Sequence, residues 1–115
     1  MEMIKQLMLG ALISAGVAAP AVAGVAGFGV VNQTGSAVSG LALRRTGTSD
    51  WKSVGGGASD GARTSISFSD PDCAFDLRAT VAGHGENVWS RINLCEVKSV
   101  TLHRDASGTT WVDYD

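Results

Sequence analysis

Apolar and polar residues alternate along much of the chain, and this period of two constrains the fold more than any other feature. Phe75, Leu77 and Ala79 alternate with Asp76 and Arg78. The same alternation recurs in residues 65–69 and 99–103. A β-strand with one buried and one solvent-facing side requires this spacing, whereas an α-helix requires a period of about 3.6. The chain is therefore predicted to be all-β.

Clusters of Gly, Ser, Thr, Asp and Pro separate the alternating runs and mark the turns between them. The predicted strands lie near residues 27–33, 37–45, 62–69, 73–82, 86–92, 97–104 and 109–114. Seven short strands at this spacing are typical of a β-sandwich or a small barrel. We therefore predict one antiparallel β-sandwich domain over residues 24–115, because that length suits a single small core.

The first 23 residues read as a signal peptide. Lys5 supplies a positive start, Leu7–Ala19 is uncharged and apolar, and Pro20 breaks the helix. Ala21-Val22-Ala23 then offers the small-x-small pattern that a signal peptidase cleaves. These features predict export through the general secretory route, and a periplasmic or secreted protein.

Two alternatives concern the same segment. The residues from Leu7 to Val31 include no charge, and a run of this length can cross a bilayer, so a retained membrane anchor is the first alternative. Gly24-Val25-Ala26 is a second possible cleavage site. No cysteine follows the run and no Arg-Arg pair precedes it, which disfavours lipid attachment and the twin-arginine route.

The chain has two cysteines, Cys73 and Cys95, and in an oxidising compartment they are predicted to form one disulfide. A closed loop of about 23 residues corresponds to roughly 3 kcal/mol of stabilisation in the chain-entropy model. The segments 73–82 and 86–92 are predicted to form a hairpin with a short glycine-containing loop. The bridge would join the beginning of this hairpin to its end.

Charge and composition disfavour a nucleic-acid partner. The formal net charge is −2, and no basic patch with interleaved aromatic residues is present. Arg44-Arg45 is an isolated basic pair, which we interpret as a solvated strand end.

Motifs for catalysis are weak. The run from Gly57 to Gly61 matches the G-x-S-x-G pattern, but that pattern works on a strand-to-helix turn of an α/β sheet, and no helix is predicted here. His84 lies between two glycines, and His103 ends a predicted strand, so both are interpreted as surface residues. We expect no catalytic residue, no cofactor and no metal site.

Three aspartates near residue 73 keep calcium binding as an alternative. Asp70, Asp72 and Asp76 place three carboxylates within seven residues, and Ca²⁺ prefers oxygen ligands. The spacing lacks the glycine and the glutamate of a calcium-binding loop. A turn followed by a polar strand face is the preferred interpretation.

Three tryptophans can anchor a small core or contact a partner. Trp89 adjoins Val88 on a predicted strand, so one of the two faces outward if the strand is regular. Trp51 lies in a polar loop, where it either covers the end of the sandwich or contacts a protein or glycan partner. The first role is preferred, and Trp51 is kept as a candidate contact residue. Trp111 is likewise a candidate anchor of the core.

A set of short motifs resembles a family of small exported bacterial proteins of unknown function. The motifs are Asn32-x-Thr34-Gly35, Asp50-Trp51, Cys73-x-Phe75-Asp76-Leu77-Arg78, Trp89, Asn93-Leu94-Cys95 and Val100-x-Leu102. The resemblance spans most of residues 28–103 and implies an exported β domain without an assigned catalytic residue. Where members have a longer segment after the Asp-Trp loop, this chain has only Val54–Gly61.

The expected function is that of a non-enzymatic binding or interaction module of the bacterial envelope. Its partner would be an envelope protein or a glycan, and the membrane would be involved only if the N-terminal segment is retained. The alternative is a small disulfide-bonded inhibitor or immunity-like protein that acts on an envelope enzyme. A hydrolase that uses His84 or His103 is the least favoured class.

Overall fold

The computed structural model describes residues 24–115, so the predicted signal peptide lies outside the described residues. The described residues form nine strands and no helix. The strands are β1 (Val25–Gln33), β2 (Val38–Arg45), β3 (Lys52–Ser53), β4 (Gly57–Ala58), β5 (Arg63–Asp70), β6 (Ala74–Val81), β7 (Gly85–Asn93), β8 (Ser99–Arg104) and β9 (Thr110–Tyr114). Residues 24–115 accordingly contain no helix that is long and apolar enough to cross a membrane.

The strands build two sheets that enclose one core. The first sheet has the order β9-β8-β1-β5, and the second has the order β3-β2-β6-β7, with β4 also paired to β2. The predicted β-sandwich is confirmed. Its seven longer strands match the seven predicted ones, and β3 and β4 are short additions in segments predicted as loop. One pair departs from the antiparallel prediction, because β1 and β8 run parallel.

The predicted alternation accounts for the core. Phe75, Leu77, Ala79 and Val81 of β6 are all buried, as a strand with one inward face requires. The packing of the two sheets encloses an apolar cluster, to which other long strands also contribute side chains. Its largest fully buried members are Trp89, Phe75, Leu41, Leu43, Leu77, Ile92, Leu94 and Leu102.

A β-bulge in β7 interrupts the alternation there. Leu77 pairs with Trp89 and Phe75 pairs with Ile92, so two residues of β7 stand opposite Asp76. One of them, Arg91, has a φ of 56°, in the left-handed region. The extra residue lets Trp89 and Ile92 both face the core, while Val88 is only half-buried.

Side chains join the sheets along the side formed by β7, β8 and β9. The indole Nε1 of Trp89 donates to the carbonyl of His103 at 2.9 Å, and the hydroxyl of Thr110 donates to the carbonyl of Val88 at 2.8 Å. These bonds satisfy polar groups at two sheet edges and hold the sandwich closed on this side.

The disulfide between Cys73 and Cys95 is present, with the two Cα atoms 5.1 Å apart. It lies at one end of the hairpin formed by β6 and β7, and the N–H of Leu94 donates to the carbonyl of Cys73 beside it. The predicted pairing is therefore confirmed, together with its position at the beginning and the end of the hairpin.

Candidate binding pocket at the open end of the sandwich

A pocket of about 340 Å³ lies where β2, β5 and β6 meet at one end of the sandwich. We call it the end pocket. Apolar side chains from both sheets form its floor, and charged side chains from the ends of β2 and β5 and from the following loop form its rim. Its lining residues are Leu43, Arg44, Arg45, Thr48, Asp50, Lys52, Phe68, Asp70 and Phe75.

The floor of the end pocket joins the two sheets. Leu43 and Phe75 lie on the adjacent strands β2 and β6 of the second sheet and are 1% exposed each, whereas Phe68 of the first sheet is half-buried. The rings of Phe68 and Phe75 meet edge to face with centroids 5.4 Å apart. Edge-to-face contact is a favoured arrangement of aromatic rings, and Phe68 is the part of the floor that the rim leaves partly exposed.

One ion pair crosses between the sheets at the rim. Nη2 of Arg45, at the end of β2, lies 3.0 Å from Oδ1 of Asp70, at the end of β5. The Nε of Arg45 also lies 3.3 Å from a carboxylate oxygen of Asp72. The N–H of Asp72 donates to Asp70, and this bond, together with Arg45, lowers the pKa of Asp70 below its ordinary value despite some desolvation.

A second, weaker ion pair lies on the loop that forms the outer rim. Nζ of Lys52 is 3.2 Å from Oδ2 of Asp50, and both side chains are more than half exposed. Exposed pairs of this kind contribute about 0–1 kcal/mol. Lys52 and Asp50 can therefore separate and pair with a ligand group instead, at little cost in free energy.

Trp51 lies next to this rim in a group of side chains that we call the Trp51 cluster. The cluster consists of Trp51, Arg44, Arg78, Asp76 and Thr46, on the outer face of the second sheet. The guanidinium carbons of Arg44 and Arg78 lie over the indole ring, 4.4 and 4.6 Å from its centroid. Both arginines thus cover a half-buried ring and make favourable cation–π contacts with it.

Asp76 anchors the cluster. Its side chain is 5% exposed and accepts hydrogen bonds from Nε of Arg44 at 2.8 Å, from the hydroxyl of Thr46 at 3.0 Å and from the N–H of Arg91 at 2.9 Å. Burial alone would raise the pKa of this carboxyl group. The three donors outweigh burial and hold the pKa below its ordinary value of 3.8.

The structure therefore places Trp51, the candidate contact residue, beside the end pocket and under two arginines. The interpretation of Arg44-Arg45 as a solvated strand end is wrong for Arg44, whose side chain is 28% exposed and bonded to Asp76. The end pocket could not be predicted from the sequence, because its floor and rim come from segments that are distant along the chain. The alternation of apolar and polar residues indicates which face of its own strand each residue occupies. It does not indicate that Phe68 of the first sheet packs against Phe75 of the second.

The three aspartates considered for calcium are held by arginines. Asp70 and Asp72 face Arg45, and Asp76 faces Arg44. Within residues 24–115, no group of three or more His, Cys, Asp or Glu side chains is arranged to hold a metal ion.

The histidines and the G-x-S-x-G segment lie away from the end pocket. His84 is exposed in the turn between β6 and β7. Nε2 of His103 lies 2.8 Å from Oδ2 of Asp113 on the first sheet. Gly57 and Ala58 form β4, which pairs with β2, so no strand-to-helix turn surrounds Ser59.

Comparison with known proteins gives one informative similarity. A solved structure described as the NMR structure of the protein from Eubacterium rectale is similar over 77% of this chain and 86% of that chain, with a TM-score of 0.56 and 16% sequence identity. At this identity the similarity shows the fold alone. No family model and no curated protein matches this chain.

Proposed function

We propose that this protein is an exported, non-enzymatic binding or interaction module of the bacterial envelope, and that its partner inserts an apolar group into the end pocket. The observation that carries the proposal is the apolar floor between the two sheets, where Leu43 and Phe75 are buried and Phe68 is only half-buried. Binding sites are typically concave and largely apolar, with a few polar groups that fix the orientation of the ligand.

The charged groups at the rim favour binding over catalysis. Asp70 is engaged by Arg45 and by the N–H of Asp72, and Arg44 is engaged by the buried Asp76. Groups held in this way suit a rigid rim that orients a partner. The exposed pair of Lys52 and Asp50 is the part of the rim that can rearrange.

The fold bears on where the predicted signal peptide would be cleaved. Val25 is 2% exposed and pairs with Asp70 at the start of β1. Cleavage after Ala26 would remove this core residue, whereas cleavage after Ala23 leaves β1 complete. The disulfide also suits an oxidising compartment outside the cytosol.

We expect the mature protein, expressed with its N-terminal segment in a bacterial host, to begin at Gly24. Intact-mass measurement of the protein recovered from the periplasm or the medium checks this. Recovery of the uncleaved chain from the membrane fraction would contradict the proposal of a cleaved, exported module and would favour the membrane anchor.

Filling the end pocket should abolish binding of an apolar probe. Thr48 is exposed and lines the pocket, so Thr48→Trp places an indole at its mouth. We expect the folded protein to bind 1-anilinonaphthalene-8-sulfonate at one saturable site, and T48W to weaken this binding by about tenfold or more. Fluorescence titration below the unfolding transition measures both affinities.

Thr80→Trp is the matched control, because it adds the same ring to an exposed position of β6 outside the pocket. It should bind the probe as the unmodified protein does. Equal binding by T48W would show that the probe binds elsewhere, and absence of binding to the unmodified protein would refute an accessible apolar floor. One-to-one inhibition of a lysozyme or protease that T48W leaves unchanged would favour the inhibitor class instead.

A further inference from the structure

A second surface feature lies on the first sheet, on strand β9. Trp111 is 45% exposed and is one of two large apolar side chains exposed in residues 24–115. The other is Tyr114, whose hydroxyl accepts a hydrogen bond from the N–H of Asn93. Within residues 24–115, no side-chain hydrogen bond of this kind links Trp111 to the second sheet, so closing the sandwich does not account for the exposure of its ring.

The ring of Trp111 stacks on the imidazole ring of His103. The two residues are directly paired across β9 and β8, and their rings stack with centroids 5.1 Å apart and an angle of 5° between their planes. Strand β9 is the edge of its sheet, and β8 lies on only one side of it. One face of the indole therefore rests on His103, and the other points past the edge strand β9, on the side where no further strand of this sheet lies.

A carboxylate lies beside this ring on the same side of β9. Asp113 follows Trp111 by two residues, so strand alternation places both side chains on one face. Oδ2 of Asp113 lies 2.8 Å from Nε2 of His103, and the Asp113 side chain remains 70% exposed. Trp111, His103 and Asp113 thus form a connected group with an open aromatic face and an accessible negative charge.

From this group we infer a binding site for a basic peptide segment of a partner protein. A Lys or Arg side chain would lie over the free face of Trp111 and pair with the carboxylate of Asp113. Trp is the aromatic side chain that attracts cations most strongly, and Asp113 provides the complementary charge. The site shares no residue with the end pocket, so it does not depend on the function proposed for that pocket.

The test uses a tetralysine peptide and the mature protein at low ionic strength. We expect the indole N–H signal of Trp111 in an NMR titration to shift saturably, with the signals of Trp51 and Trp89 unchanged. Trp111→Ala and Asp113→Asn should each weaken binding by about threefold or more, as loss of a surface cation–π or ion-pair contact predicts. Raising the salt concentration to about 0.3 M should weaken it further.

Glu86→Gln is the matched charge control. Glu86 is 65% exposed on the second sheet, and E86Q removes one negative charge just as D113N does. Equal weakening by E86Q and D113N would show that net charge alone attracts the peptide and would overturn the site. Absence of a shift at Trp111 would also overturn it. A larger, salt-independent shift with a neutral oligosaccharide than with tetralysine would assign the ring to a glycan instead.

Discussion

Replacement of Asp76 with alanine is expected to lower the free energy of unfolding by about 4 kcal/mol. The substitution leaves Arg44 without its buried partner, and it removes the acceptor of the Arg91 N–H and of the Thr46 hydroxyl. It also removes the bond that supports Arg91 in its left-handed conformation. Urea unfolding, followed by tryptophan fluorescence, measures the change.

Two further variants separate the contributions at this position. Asp76→Asn keeps an oxygen that accepts from Thr46 and Arg91, but it loses the charged hydrogen bond from Nε of Arg44. We therefore expect the free energy of unfolding to fall by about 2 kcal/mol. Asp72→Ala removes a nearby carboxylate that is 58% exposed, and it should change stability by no more than about 0.5 kcal/mol. Equal losses for D76A and D72A would contradict the anchoring role of Asp76.

The Asp76 contribution should depend on pH in a defined direction. Its pKa is lower in the folded protein than the ordinary value of 3.8, so the folded state favours the ionised form. The stabilisation is fully present at pH values well above 3.8 and is lost as the pH falls through the folded-state pKa. The difference in unfolding free energy between the unmodified protein and D76N should therefore shrink in acid.

Replacement of Asn32 with alanine is the second large effect, with an expected loss of about 3–4 kcal/mol. Asn32 is 0% exposed. Its Nδ2 donates to the carbonyls of Ser36 and Ala58, and its Oδ1 accepts from the N–H and the hydroxyl of Thr34. Alanine would leave several of these polar groups buried without a partner. Thermal and urea unfolding measure the loss.

The neighbouring Gln33→Ala is the control, because Gln33 is exposed on the opposite face of β1. It should change stability by less than about 0.5 kcal/mol. Asn32→Asp keeps the oxygen that serves Thr34 but loses both donated bonds and buries a charge, so it should also be strongly destabilising. If N32A were as mild as Q33A, the buried hydrogen bonds of Asn32 would not be important for stability.

Local chemistry made the strands, the hairpin and the disulfide predictable. Alternation in β6 marks its inward face because a strand has only two faces, and two cysteines permit only one pairing. The strand order was not predictable, since it depends on contacts between segments distant along the chain. The parallel pairing of β1 with β8 is one of these long-range contacts.

The bulge in β7 shows a different limit of sequence reasoning. Strict alternation would place Trp89 and Ile92 on opposite faces, yet both are buried. The extra residue is accommodated because the carboxylate of Asp76 binds the N–H of Arg91. A carboxylate that the alternation assigned to a polar face thus supports the backbone of the next strand.

The motifs behind the family resemblance also acquire a physical meaning in the fold. Asn32 and Thr34 hold the turn after β1 through buried hydrogen bonds. Trp51, Asp76 and Arg78, from two separate motifs, meet in the Trp51 cluster. In this chain these motif residues form structural contacts, and those of the Trp51 cluster lie next to the rim of the end pocket through Arg44.

The position of β1 has a consequence for how the chain folds. Among the strands of residues 24–115, β1 is the first to leave any machinery that delivers the chain amino end first, yet it lies inside its sheet, between β8 and β5. Its parallel neighbour β8 is among the last strands to follow, and Gly29 pairs with Ser99. Pairing across so long a loop is slow, so the first sheet is completed only after nearly the whole domain has emerged. Until then β1 exposes its apolar face and its unpaired edge, and a chaperone that shields extended apolar strands would protect the nascent protein.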